Sequence, residues 1–237
     1  MKNKIIILGG SGKMGNEIIK HLKKRYTMIN FSLENNKLIN KKNYYNLNLG
    51  SKKNIEQFFE KKINLRYLIG IINCLRVRFD DKDDNFEVLN KTYEILIKNY
   101  FYFIDKLITK YKLKNLSIIN FSSTNTELIS HQSFSYHYSK SVLENLTKYM
   151  SIKYLKKNIK VNNLQIGLIK TKDLNKIINV RNLKKNLSLK NIANYKDIIM
   201  FMESALINNQ ILNGTTIKVD GSLTNIDQLH FANLINK

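Results

Sequence analysis

The stretch Lys4-Ile5-Ile6-Ile7-Leu8-Gly9-Gly10-Ser11-Gly12-Lys13-Met14-Gly15, continued by Asn16-Glu17-Ile18-Ile19-Lys20-His21-Leu22, decides the fold. Ile5 to Leu8 is an unbroken apolar run, the glycines end it, and Ile18, Ile19 and Leu22 then recur at helical spacing. This is a strand, a glycine turn and a helix. Gly10-x-Gly12-x-x-Gly15 has the spacing of a dinucleotide-binding turn, in which glycines let the backbone approach a pyrophosphate resting on a helix N-terminus. The spacing alone also fits any tight glycine turn.

Outward from that stretch the alternation repeats. Thr27–Phe31 reads as a second strand, Tyr44–Leu49 as a short third, Asn54–Lys62 as a helix and Tyr67–Asn73 as a buried strand. Helical stretches at about 86–112 and 138–157 are separated by the apolar run Leu116–Phe121, and Lys160–Ile166 and Thr216–Val219 read as the last strands. Strands alternating with helices predict a doubly wound parallel α/β sheet covered on both faces, in three layers. No repeat, linker or composition break divides it, so residues 1–237 are expected to form a single domain.

Composition narrows the function classes. The chain has 43% hydrophobic and 24% charged residues, which excludes disordered, collagenous and disulfide-framework readings. The single Cys74 cannot form an internal disulfide, the N-terminal residues lack a signal peptide's apolar core, and no run is long enough to span a bilayer. A reducing cytoplasm and no membrane are expected. The net charge of +22 invites a nucleic-acid reading. However, 35 Lys against 5 Arg, 34 Asn, 3 Ala and no Pro or Trp is the pattern of codons rich in A and T. The lysine pairs are spread along the whole chain, so solvated surface charge is favoured over a nucleic-acid site.

A second constellation lies beyond the middle. Ser122-Ser123 ends the strand Ile118–Phe121, Tyr136 follows 13 residues after Ser123, and Lys140 stands four residues later, on the same face of a helix. An ordinary phenol is a poor acid at neutral pH, but a nearby ammonium favours its phenolate, and a serine hydroxyl beside it could hold a carbonyl oxygen. With 13 Tyr and 35 Lys in the chain, the pair by itself carries little weight.

Taken together, and in order, these residues resemble the short-chain dehydrogenase/reductase family of the single-domain kind. The resemblance runs from Lys4 to about Ser222: Gly9-Gly10-Ser11-Gly12-Lys13-Met14-Gly15; Asn48-Leu49; Ile72-Asn73-Cys74; Asn99; Asn120-Phe121-Ser122-Ser123; Tyr136-His137-Tyr138-Ser139-Lys140; Ile166-Gly167-Leu168-Ile169-x-Thr171; and Val219-Asp220-Gly221. It implies a Rossmann fold and hydride transfer between NAD(P) and a carbonyl or alcohol. Tyr136 would be the general acid/base, Lys140 the cation that tunes it and holds the nicotinamide ribose, Ser123 the orienting hydroxyl, and Asn99 the anchor of a proton-relay water. The cofactor set so implied is Gly9, Ser11, Gly12, Lys13, Met14, Gly15, Ser32, Asn48, Leu49, Asn73, Cys74, Tyr136, Lys140, Gly167, Ile169 and Thr171. His131, His137 and Cys74 lack metal-ligand spacing, so no metal is expected.

Several positions depart from the family pattern. Leu8 stands where Thr is common and Lys13 where glycine is common, and Ile166 replaces a proline before Gly167 in a chain that has none. Arg76 is read in place of the final glycine of the family's Asn-Asn-Ala-Gly motif, close to where adenine or its ribose would lie. At the end of the second strand Ser32, with Lys13 across the turn, favours NADP slightly over NAD, while Glu34 could take the NAD role.

The resemblance implies that the loop after Asn73, here with Arg76, Arg78 and Asp80 to Asp84, the loop after Ser123 and the lysine-rich segment from Thr171 to about Lys190 set the substrate. An anionic small molecule suits that segment, with a sugar nucleotide or a 3-oxoacyl thioester as first choices. The family resemblance also implies a homotetramer or homodimer. The alternative from another class is a non-catalytic nucleotide-binding protein whose basic surface binds nucleic acid or an acidic partner.

Overall fold

The chain is described as a computed structural model, in residues 2–77, 85–130, 132–171, 174 and 192–225. Seven parallel strands form one sheet: β1 (Lys4–Leu8), β2 (Thr27–Ser32), β3 (Tyr44–Asn46), β4 (Leu68–Asn73), β5 (Leu116–Ser123), β6 (Ile159–Ile166) and β7 (Thr216–Val219), in the order β3-β2-β1-β4-β5-β6-β7. The order reverses between β1 and β4, whose carboxyl ends therefore open a crevice at the point where doubly wound sheets bind ligands.

Side-chain alternation explains why both faces are covered. Along β1, Ile5 and Ile7 pack against Ile18, Ile19 and Leu22 of helix α1 (Lys13–Leu22) and against Ile198, Ile199 and Met202 of helix α6 (Tyr195–Met202). Ile6 and Leu8 face the opposite layer. There Phe58 of α2 (Lys52–Glu60), Phe103, Ile104 and Leu107 of α4 (Asn99–Lys110), and Leu143 and Met150 of α5 (Phe134–Lys153) complete the core. Strands buried on both faces read as continuous apolar runs, which is why the sequence shows no polar alternation there.

The structure revises several boundaries. The third strand stops at Asn46, and Leu47 and Leu49 are buried beyond it in non-strand backbone. The long helix near 86–112 is α3 (Phe86–Tyr93), a π-helical turn over Glu94–Lys98, and α4. The next helix starts at Phe134 rather than 138, because Ser133 caps it by accepting from the Tyr136 amide at 3.3 Å. Helix α6 has no counterpart in the expectations; its capping box between Asn194 and Asp197 is the signal that marks its start. With 9 glycines and no proline in the chain, asparagine serves in turns: Asn115 and Asn158 take left-handed backbone and hydrogen-bond each other at 2.9 Å.

Beneath the crevice lies a buried polar network. Asn120 of β5 accepts from Asn73 Nδ2 at 3.1 Å and from the Tyr100 hydroxyl at 2.5 Å, and donates to Thr147 Oγ1 at 2.8 Å. Burial pushes the Tyr100 phenol up, so it stays a neutral donor. Replacing Asn120 by Ala removes one buried hydrogen bond each from Asn73, Tyr100 and Thr147, although Thr147 keeps its bond to the Leu143 carbonyl. Unfolding free energy measured with urea is expected to fall by about 2–4 kcal/mol; a change below about 0.5 kcal/mol, the size of an ordinary surface effect, would show the network to be dispensable.

Candidate active site

Four pieces of backbone converge on a cleft of about 670 Å³ at the carboxyl end of the sheet. The first is the glycine turn. Gly9 has φ +75° in the left-handed region, and a Cβ on Gly15 would lie 2.5 Å from the Gly9 carbonyl oxygen, so neither position admits a side chain without rearrangement. Gly12 is the N-cap of α1 and supplies no side-chain cap, so the helix presents its first amides at the cleft beside Ser11, Lys13 and Met14. A Cβ at Gly12 would meet only the Gly9 carbonyl oxygen, in ordinary contact at 3.4 Å, so the protein's own packing does not demand glycine there. Asn36 braces the turn from behind by donating to the Gly10 carbonyl at 2.7 Å.

The second piece follows β4. Asn73 Oδ1 accepts from the Leu75 amide at 3.1 Å, and this bend carries Cys74, Leu75 and Arg76 onto the cleft wall. Burial pushes the Cys74 thiol up to about 12 against the pull of Lys140, so the thiol is neutral and unreactive. The third piece is the end of β5. Pleating sends Ser122 toward α5, where its hydroxyl donates to Glu144 at 2.5 Å. Ser123 points the other way, with Ile119 and Phe121, and its hydroxyl donates to Asn125 Oδ1 at 3.2 Å.

The fourth is helix α5, which brings Tyr136 and Lys140 to the cleft on one face. Lys140 is only 7% exposed. Its Nζ donates to the Phe121 carbonyl at 2.9 Å and lies 5.8 Å from the Tyr136 ring centroid. Burial holds the Lys140 ammonium below the usual lysine range; Tyr136 and Cys74 oppose that shift and Arg76 adds to it. The Arg76 guanidinium also lies over the Tyr136 ring, 5.1 Å from the centroid, and donates to Gln132 Oε1 at 3.2 Å.

Of the residues expected at the site, the cleft brings together Ser11, Gly12, Lys13, Met14, Cys74, Ser123, Tyr136, Lys140, Gly167 and Ile169, with Gly9 and Gly15 shaping the turn. It does not bring in the others. Ser32 is buried, and its hydroxyl donates to the Glu34 carbonyl at 2.5 Å rather than facing the cleft. Asn48 caps its own turn at the Gly50 amide, Leu49 is buried, and Asn73 acts through the backbone bend. The Thr171 carbonyl accepts from the Leu174 amide. Asn99 directs its amide to the Leu49 carbonyl at 2.7 Å, away from Tyr136, and does not line the cleft.

Arg76 also needs correction. Counted from Asn73, Cys74 and Leu75 fill the last two places of the four-residue motif, so Arg76 follows it and sits at the tyrosine end of the cleft. Sequence reasoning missed Tyr195, which lines the cleft from α6 and carries no motif to announce it. His131, Arg78, Asp80 to Asp84, and Lys172, Lys176, Arg181, Lys184 and Lys185 lie outside the described residues. Among the described residues no side-chain group has metal-site composition, and no helix is long and apolar enough to cross a membrane.

The family model described as enoyl-(acyl carrier protein) reductase matches residues 28–224, which span β2 to the end of the sheet. The chain belongs to the short-chain dehydrogenase/reductase family. Its fold is the Rossmann-like α/β fold of that family's NAD(P)-dependent oxidoreductases, several of them solved with cofactor bound. A short-chain dehydrogenase family protein from Francisella tularensis subsp. tularensis SCHU S4 is 21% identical with TM-score 0.76, over 95% of this chain and 100% of that one. ElxO with NADP bound is 20% identical with TM-score 0.77, over 95% and 100%. A 4-hydroxyisoleucine dehydrogenase complexed with NADH and succinate is 25% identical with TM-score 0.73, over 92% and 97%. No curated protein matches this short-chain dehydrogenase/reductase in sequence.

The displaced Lys140 titration has a measurable consequence. Between its folded value and the unfolded value of 10.5, the unfolded chain holds more protons at this site, so stability there rises with pH. Wild type should therefore gain stability relative to Lys140→Met as pH climbs toward 10.5, in urea unfolding at matched pH values. A difference that stays flat or moves the other way would mean that the ammonium is not buried as described.

Proposed function

We propose that this chain is an NAD(P)-dependent oxidoreductase that interconverts a carbonyl and an alcohol, with Tyr136 as general acid and base. The observation that carries this reading is the placement of Tyr136 and Lys140 on one face of α5, opening with Ser123 on a cleft bounded by an uncapped helix N-terminus. The residues fit a dinucleotide. Gly12 leaves room for it, the first amides of α1 and Lys13 offer donors and positive charge to a pyrophosphate, and Gly167 and Ile169 close the far wall. When bound, a nicotinamide dinucleotide supplies or takes up the hydride.

The chain's own residues handle the oxygen. In reduction the Tyr136 phenol donates its proton to the substrate oxygen, and in oxidation the phenolate takes that proton back. Lys140, fixed by the Phe121 carbonyl, places a cation where it stabilises negative charge on the phenolic oxygen. Ser123, the serine 13 residues before Tyr136, is the hydroxyl that would hold the substrate oxygen, exchanging its bond to Asn125 for the substrate; Ser122, which also lines the cleft, is bound to the Glu144 carboxylate. Asn99 does not line the cleft; its amide donates to the Leu49 carbonyl, and it has no part in this step. Since Ser32 faces inward, Lys13 alone favours NADP over NAD, and neighbours of this fold bind either.

Turnover is tested by following NAD(P)H absorbance over a panel of carbonyl compounds. Tyr136→Phe should lose about 10²–10⁴-fold in turnover while NADPH still raises its melting temperature as in wild type; Tyr138→Phe, the control, should stay within a few-fold. Equal activity of wild type and Tyr136→Phe would remove Tyr136 from the reaction.

The same reading includes a homodimer or homotetramer. Tyr100, Phe103, Ile104 and Leu107 do not speak for it, because they are spent inside the protomer's own core. The support is instead the outer side of α4 and α5, where Tyr102, Tyr149 and Ile152 are exposed. Light scattering at micromolar concentration should give a multiple of 27.8 kDa; a monomer mass would refute the assembly.

A further inference from the structure

We propose that Arg76 is a carboxylate-binding residue of the substrate site, selecting small oxo acids, or the matching hydroxy acids, whose carboxylate lies one or two carbons from the reacting carbon. The proposal rests on the oxidoreductase reading of the cleft and assigns that reading its substrate class.

Three observations carry it. Arg76, an exposed residue, lies over the ring of Tyr136 at 5.1 Å and donates to Gln132 at 3.2 Å, and these two contacts place its guanidinium beside the phenol. Gln132 takes one of the five N–H donors of the guanidinium. Among the described residues no carboxylate lies within ion-pair distance of it. Finally, the described lining of the cleft contains Lys13, Arg76 and Lys140 but no Asp or Glu. Lys13 belongs to the glycine-turn end and Lys140 to the Phe121 carbonyl, which leaves Arg76 as the cation facing the substrate end.

Chemistry narrows the ligand. A guanidinium fork matches a carboxylate bidentately at about 2.7–2.9 Å, and a carbonyl oxygen must sit about 2.6–3.2 Å from the phenol that protonates it. With the fork over that phenol's own ring, one compact molecule satisfies both only if its two groups are close together. The carboxylate takes no part in the electron flow. In reduction the carbonyl carbon gains a hydride from the reduced dinucleotide, the C=O π pair moves onto oxygen, and Tyr136 protonates that oxygen. Arg76 only holds the neighbouring group.

The probes are pyruvate and acetoacetate with their methyl esters, assayed with NADPH and NADH, and oxamate, a carboxylate beside a non-reducible carbonyl, assayed by binding with and without cofactor. Wild type should favour each acid over its ester at least tenfold in kcat/KM. Arg76→Met should bring that ratio close to one, chiefly through a higher KM for the acid, and weaken oxamate at least tenfold. Arg76→Lys should fall between, since it keeps the charge and loses the fork. Exposed Lys148→Met should keep the wild-type ratio. An oxamate affinity indifferent to Arg76, or an acid-to-ester ratio unchanged by Arg76→Met, overturns the assignment. Oxamate binding that depends on Arg76, with no turnover of any probe, upholds the carboxylate site and sinks the oxidoreductase reading. Turnover of acids and esters alike does the reverse.

Discussion

The hydrogen bond from the Lys140 ammonium to the Phe121 carbonyl, at 2.9 Å, is the constraint on which the site depends. It joins the carboxyl end of β5 to the second turn of α5, and so ties the helix that carries Tyr136 to the edge of the cleft. A charged group this deeply buried is expensive unless it is held. One carbonyl and a tyrosine ring hold it here, with no carboxylate among the cleft-lining residues described, and the depressed titration of Lys140 is the measure of that shortfall. Serine alternation follows from the pleat of β5: the Ser123 side chain shares the side of Ile119 and Phe121, and Ser122 faces Glu144 of α5.

Much of this was legible in the sequence, and the legible part has a common cause. The β1 run, the glycine turn and the four-residue separation of Tyr136 and Lys140 are local patterns, each set by the period of a single element. The spacing from Ser123 to Tyr136 picks one of two serines that both line the cleft. Asn99 and Ser32 failed for the opposite reason. Their direction depends on tertiary partners, the Leu49 carbonyl and the Glu34 carbonyl, which no local pattern encodes. The widened turn over Glu94–Lys98, directly before Asn99, resets the facing of every later residue in that helix, and nothing in the apolar spacing predicted it.

Composition misleads in one direction and informs in another. Lysines spread along the chain made the charge read as solvated surface, yet three cations converge on one cleft. Asparagine abundance, read as a codon effect, also reaches the core. Asn73 and Asn120 bind each other there, whereas both side-chain polar atoms of fully buried Asn30 lack partners in the described structure. Gly10 lies directly against that side chain, since a Cβ on it would come within 2.4 Å of Asn30 Oδ1. The glycine there makes room for a buried amide as much as for a ligand.

The two cations near the Tyr136 ring are not independent. Arg76 is one of the reasons the Lys140 ammonium is held below its usual range. A carboxylate seated on the Arg76 fork would cancel most of that charge, and the repulsion that Lys140 feels would fall with it. Lys140 would then keep its proton more firmly with substrate bound than without. The cation that supports the phenolate would thus be strongest when a substrate oxygen is waiting to exchange a proton with it. The positive charge of the described cleft lining and the proposed affinity for an acidic substrate are two sides of one electrostatic balance.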